Sequence, residues 1–201
     1  MTDVPPVYVV LCTYGSDALS RRQAAMADHL SYLRENAFRL RFAGPTLADD
    51  GQTATGSLAV VEVPDRQRAE AFIRGEAFHR AGMFDHVAIT RFTSDVGRRQ
   101  VEITPDPERE IFLCRWTTSD GTPATGLDLD ATSGATPGGL LEGGALLTDD
   151  GSSEIGGFAL VEVADRSAAE SFVADRVRHR SGLEVDVLVR RWRFGKGLGG
   201  A

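Results

Sequence analysis

At 201 residues the chain has room for one large or two small domains, and its 42% apolar and 25% charged content is that of a globular protein. Its 29 acidic against 22 basic residues leave a net charge of −7, which argues against general nucleic-acid binding, because a phosphate backbone needs a basic surface. Two cysteines are too few for a disulfide framework and lack metal-ligand spacing, no apolar run reaches membrane-spanning length, and residues 1–6 lack the basic and apolar regions of a signal peptide; a cytoplasmic protein without membrane association is expected.

Val7 to Cys12, apolar and β-branched behind two prolines, reads as a first strand. Ser16 to Asn36 predicts a helix: Ser16 or Asp17 can cap its start, and Leu19, Met26, Leu30 and Leu33 recur at helix-face spacings. Leu40 to Ala43 predicts a second strand, stopped by Gly44-Pro45 and the Asp49-Asp50-Gly51 turn. Gly56 to Val63 is a third strand. Asp65 can cap a second helix that runs to about Arg74 and buries Ala69, Phe72 and Ile73. A helical turn over Glu76 to Phe84 and a fourth strand over His86 to Phe92 complete the order β-α-β-β-α-β, the ferredoxin-like split unit. Such a unit has helices on one sheet face only, and a second sheet is the natural cover for the other.

The same chain can supply that second sheet. Residues 56–82 and 156–182 share 13 identities in 27 positions, among them Glu62/Glu162, Asp65/Asp165, Phe72/Phe172, His79/His179 and Gly82/Gly182. Ile111 to Cys114 is the counterpart of the first strand, with Cys114 aligned on Cys12 and a two-residue deletion following. The organisation expected is a first domain over residues 1–94, a linker over 95–108, a second, degenerate domain over 109–195 and a flexible, mostly glycine tail over 196–201. The fold class expected is α+β: two tandem ferredoxin-like domains forming a pseudo-dimeric α+β barrel within a monomer, with further oligomerisation left open. Between Thr118 and Gly139 the second copy carries six Pro and Gly residues, so a shortened helix or a loop is expected there.

The copies differ in their chemistry. His29, beside Met26, Leu30 and Leu33, sits at the margin of the first helix's apolar face and is either a proton shuttle or a boundary histidine bonded to backbone. Glu76 becomes Arg176, Phe78 becomes Arg178 and Ser57 becomes Gly157 in the second copy. His79 persists as His179, which points to packing rather than chemistry, and Asp28 reads as solvated. The two cysteines read as small buried residues. Arg176, Arg178, Arg180, Arg190, Arg191 and Arg193 make the C-terminal region basic, as an anion site or as a solvated face. No phosphate-binding loop, dinucleotide fingerprint, zinc-protease or serine-hydrolase motif is present.

Residues 7–92 resemble the YciI-like proteins. The likeness lies in Tyr8-Val9-Val10-Leu11, Asp28-His29-Leu30 with Leu33, Ala43-Gly44-Pro45, Gly56-Ser57, Ala69-Glu70-Ala71, and Glu76-Ala77-Phe78 followed by Ala81-Gly82-Met83-Phe84. The resemblance implies domains paired through their sheets as a dimeric α+β barrel, and a His–acid pair in the cleft. His29 takes the histidine position. The acidic position, an Asp-Pro before an aromatic residue in the family, reads Glu76-Ala77-Phe78 here, with a longer carboxylate arm and no proline. The function so implied is a cofactor-free, metal-free acid/base enzyme of isomerase or lyase type on a small cyclic or aromatic metabolite. His29 would exchange the proton, Glu76 would position it, and Ser57 and Phe78 would bind substrate. The alternative is a non-catalytic module that binds a small molecule or another protein.

Overall fold

A computed structural model of the chain describes residues 5–119, 123, 139–177, 184–196 and 198. Among these, eight strands and four helices follow one another as β1 (Val7–Tyr14), α1 (Ala18–Glu35), β2 (Leu40–Leu47), β3 (Ala54–Glu62), α2 (Arg66–Gly75), α3 (Ala77–Arg80), β4 (Phe84–Ser94), β5 (Glu110–Thr118), β6 (Gly139–Leu147), β7 (Glu154–Val163), α4 (Arg166–Val177) and β8 (Val185–Trp192). The fold is α+β with antiparallel strands. Contacts divide the chain into two units. The first takes the chain up to Thr90, Arg99–Glu102 and the segment from Arg193 onward; the second takes Arg91–Arg98 and Ile103–Trp192.

In the first unit β3 lies between β1 and β2, with Cys12 and Pro45 both opposite Ser57. Tyr8, Val10 and Cys12 of β1 and Val61 of β3 meet Leu33 of α1 and Ala69, Phe72 and Ile73 of α2 in one core. Each large side chain there contributes roughly 1.5–3 kcal/mol by leaving water. Helix α2 starts where Asp65 accepts a 2.8 Å hydrogen bond from the Arg68 N–H, which satisfies an amide that has no partner within the helix.

Three local expectations are corrected. Leu19 does not join the apolar face of α1 but is 49% exposed. Neither Ser16 nor Asp17 caps α1 through its side chain; the Asp17 carboxylate is taken instead by Arg21 at 2.7 Å, one helical turn on. Strand β2 does not stop at Gly44-Pro45 but runs through to Leu47, because proline gives up only a donor and its carbonyl still accepts. The turn that ends it is closed by the Asp50 carboxylate, which accepts from the Gln52 and Thr53 amides and the Thr53 hydroxyl.

In the second unit β7 lies between β5 and β6, β8 pairs with β5, and the end of β4 (Arg91 to Ser94) pairs with β6. Its core gathers Phe112, Cys114, Trp116, Ala159, Val161, Phe172 and Val173. The β6–β7 ladder repeats the β2–β3 ladder at an offset of 100: Ala43↔Ala59 recurs as Gly143↔Ala159, and register shifts fall at Leu40/Phe42 and Leu140/Glu142 and again at Thr46/Leu47 and Leu146/Leu147.

The first strands repeat differently. Ser57 faces Cys12, whereas Gly157 faces Trp116, so the counterpart of Cys12 is Trp116 and not Cys114, and the offset there is 104. Alignment on the cysteines misses this because a slip of two residues leaves every side chain on the same sheet face, and the hydrophobic pattern cannot detect it. Residues 120–122 and 124–138 of the proline- and glycine-rich stretch expected to break the second copy's first helix, with Arg178, His179 and Arg180, lie outside the described residues. No helix among the described residues is long and apolar enough to cross a membrane.

Candidate functional site

One stripe of α1 carries Arg22, Met26, His29, Leu30 and Leu33, at the spacings of a single helical face, and it lines a cavity of about 440 Å³ within the first unit. That size suits a small organic ligand. Ala43, Gly44 and Pro45 of β2, Ser57 to Ala59 of β3, and Phe72 and Ile73 of α2 form further walls.

The polar centre is built by a helix cap. Glu76 is the residue before α3, and its Oε2 accepts from the Phe78 N–H at 2.9 Å and the His79 N–H at 3.3 Å. That double acceptance turns Oε1 toward α1, where it meets Nδ1 of His29 at 2.5 Å. Glu76 is only 4% exposed. An ionised Glu76 can only accept, which would put the proton of this bond on Nδ1 and leave Nε2 as the atom that can take or give one. The His29 ring is stacked on Phe78, with centroids 4.0 Å apart and planes within 9°, which fixes its orientation. Phe78 is held edge-on by Tyr14 at 6.3 Å.

Ser57 lines the same cavity and stands opposite Cys12 in the β1–β3 ladder. Burial pushes that thiol up to about 12, against the smaller opposing pull of Ser57, so Cys12 stays protonated and is no nucleophile at neutral pH. Burial also raises the Tyr14 hydroxyl, partly offset by the neighbouring Arg22 guanidinium. The four residues singled out in the sequence (His29, Glu76, Ser57 and Phe78) thus face one cavity.

Others there were not foreseen. Tyr14 and Arg22 stand in a strand end and a helix with no motif around them. Arg193, Phe194 and Lys196 reach the cavity only because the chain after β8 returns to the first unit. Residue 195 was expected to close the second domain, but the Gly195 N–H donates to Ala43 O at 2.8 Å and Leu198 is buried in the first unit's core. His79 and Asp28 do not line the cavity. Among the described residues no three His, Cys, Asp or Glu side chains gather as a metal shell would require.

The second unit lacks this arrangement at each position described. Trp116 is fully buried, edge-on to Phe172 at 6.2 Å, and covers Gly157, the counterpart of Ser57. A Cβ at residue 157 would lie 2.2 Å from the indole ring, so the tryptophan and the glycine require one another. Arg176, in the place of Glu76, is buried; its guanidinium lies 3.5 Å from the Phe172 ring centroid and donates to Phe172 O at 2.9 Å. Of the basic C-terminal cluster, Arg193 therefore lines the cavity while Arg176 is spent on packing.

No curated protein matches the chain significantly. Among solved structures, a mutant chlorite dismutase from Candidatus Nitrospira defluvii is 11% identical, with 96% of this chain and 92% of that chain covered and a TM-score of 0.55. A heme-binding protein from Thermus thermophilus is 12% identical, with 94% and 91% covered and a TM-score of 0.51. At such identities the likeness is one of fold, that of the dimeric α+β barrel proteins. The 5-chloro-2-hydroxyhydroquinone dehydrochlorinase of Burkholderia phenoliruptrix is 25% identical over 43% of this chain and 93% of that chain, with a TM-score of 0.40. The model of one family, the YCII-related domain, matches residues 7–93, the span that holds His29, Ser57, Glu76 and Phe78.

Proposed function

We propose that this domain is a general acid/base site for a small cyclic or aromatic metabolite, with His29 as the group that exchanges the proton. The observation that carries the reading is the 2.5 Å pairing of His29 Nδ1 with a buried, doubly capped Glu76 carboxylate at the wall of a 440 Å³ cavity. Glu76 fixes the tautomer and stabilises the imidazolium that forms when Nε2 accepts a proton. Phe78 supplies a flat face for a ring, and the Ser57 hydroxyl is placed to bond a substrate oxygen. Isomerisation or elimination fits, since each needs a proton removed at one atom and delivered at another.

We read the second unit as a tandem copy of the first whose site has been filled, supported by the repeated β2–β3 and β6–β7 registers and by Trp116 over Gly157. The test is proton exchange. A panel of cyclic enones, lactones and hydroxyarenes is incubated with the protein in D₂O, and carbon-bound hydrogen loss is followed by NMR. Exchange that disappears in His29→Gln and falls in Glu76→Gln supports the reading. Compounds that bind at the cavity but exchange no faster than with His29→Gln would leave a binding module instead.

A further inference from the structure

Resting on that acid/base reading, we infer that the ligand of the cavity is an anion, a small ring compound carrying a carboxylate or another ionised oxygen, and that the C-terminal segment supplies the cations that select it. The chain as a whole is acidic, with a net charge of −7, yet the cavity lining has the opposite balance. Its cations are Arg22, Arg193 and Lys196; its one carboxylate is Glu76. Glu76 is bonded through Oε1 to His29 and through Oε2 to two backbone amides and forms no ion pair with any of the three, so its single charge leaves the lining with cations in excess. Among the described residues neither Arg193 nor Lys196 makes an ion pair, and Arg22 meets only the Tyr14 hydroxyl and the Phe78 ring, whose face its guanidinium overlies at 5.9 Å.

Cations so placed need the segment that carries Arg193 and Lys196 to be held, and it is. Gly195 donates to Ala43 O at 2.8 Å, and Arg193 donates to Pro45 O at 3.4 Å. Gln100, buried at 5% exposure, ties the same place twice: its Oε1 accepts from the Ala43 amide at 3.0 Å and its Nε2 donates to Gly195 O at 3.2 Å. Residue 195 must be glycine, since a Cβ would come within 2.7 Å of Ala43 O. The segment is therefore fastened along β2, and Arg193, Phe194 and Lys196 enter the lining in fixed order. A ring lying among Phe78, Tyr14 and Phe194 would present its anionic group to this cationic rim while a carbon-bound proton faces His29 Nε2. Guanidinium and ammonium donors favour such oxygens through charge-assisted hydrogen bonds.

The test compares benzoate with its neutral isostere benzamide, using amide chemical-shift titrations of the full chain at low and moderate salt. Benzoate is expected to bind at least about fivefold more tightly, with shifts at the lining residues and an advantage that shrinks as salt rises. In Arg193→Gln/Lys196→Gln the advantage should fall to near onefold, while the His29–Glu76 hydrogen bond, read from the imidazole nitrogen shifts, stays intact. Equal affinity for the two probes, binding of neither, or a preference that survives the double substitution would overturn the inference. His29→Gln separates the two readings: if proton exchange is absent but benzoate is still preferred, the anion site stands without the acid/base site.

Discussion

Replacing Glu76 tests whether one side chain both caps a helix and sets a histidine tautomer. Glu76→Ala removes an acceptor shared by the Phe78 and His79 amides and by His29 Nδ1. Loss of the cap costs about 1 kcal/mol. The Phe78 amide, in a residue only 2% exposed, is left without a partner, at about 1–3 kcal/mol more. The expected destabilisation is therefore roughly 2–4 kcal/mol, seen as a lower urea midpoint at unchanged slope. Glu76→Gln separates the two roles. Its carbonyl oxygen can still accept from the α3 amides, so the expected loss is only about 1 kcal/mol. Its NH₂ then faces His29 as a donor, Nδ1 must become the acceptor, and the proton moves to Nε2. Long-range nitrogen–proton correlation spectra distinguish the tautomers directly. If Glu76→Gln leaves the proton on Nδ1, or Glu76→Ala costs under about 1 kcal/mol, the capped carboxylate does not govern His29 and the reasoning fails.

The remaining predictions probe the frame around the site. Gly157→Ala should destabilise by about 1–3 kcal/mol in thermal or urea unfolding, because its Cβ meets the Trp116 ring, whereas Ser57→Gly in the first unit should cost less than Gly157→Ala. Trp116→Ala should cost about 3–5 kcal/mol and open space where the first unit has its cavity, detectable by binding of a small apolar probe. Both thiols are pushed by burial up to about 12, so native Cys12 and Cys114 should resist alkylation at pH 8 and react fully in urea. Asp150 is held down at about 2 by the Thr148 hydroxyl and by Ser152, so its folded value lies below the unfolded one. Its stabilisation of the 148–153 turn is present above about pH 4 and is lost as pH falls through about 2, and the Ser152 amide shift should follow that window.

The residues themselves determined the βαββαβ order of the first half and the internal repeat, because these rest on short-range patterns, whereas the choice of His29, Glu76, Ser57 and Phe78 came from the resemblance to the YciI-like proteins. Periodicity marks Met26, Leu30 and Leu33 on one helical face with His29 beside them, Asp65 announces a helix start, and a substitution between copies, such as Ser57 to Gly157, is visible without coordinates. Three matters were decided only in three dimensions. The pairing of Glu76 with His29 joins residues 47 apart, and no local signal says that the carboxylate left over from capping α3 turns toward α1. The match of Trp116 with Cys12 is fixed by the hydrogen-bond ladder, since period-two patterning is blind to a slip of two residues. The return of Arg193 and Lys196 to the first unit rests on backbone bonds from Gly195 and a clamp from Gln100, contacts whose sequence separation leaves no periodicity to read. Local propensity and hydrophobic spacing write elements into a sequence; which long-range neighbours those elements acquire is settled by packing, and the site is made of such neighbours.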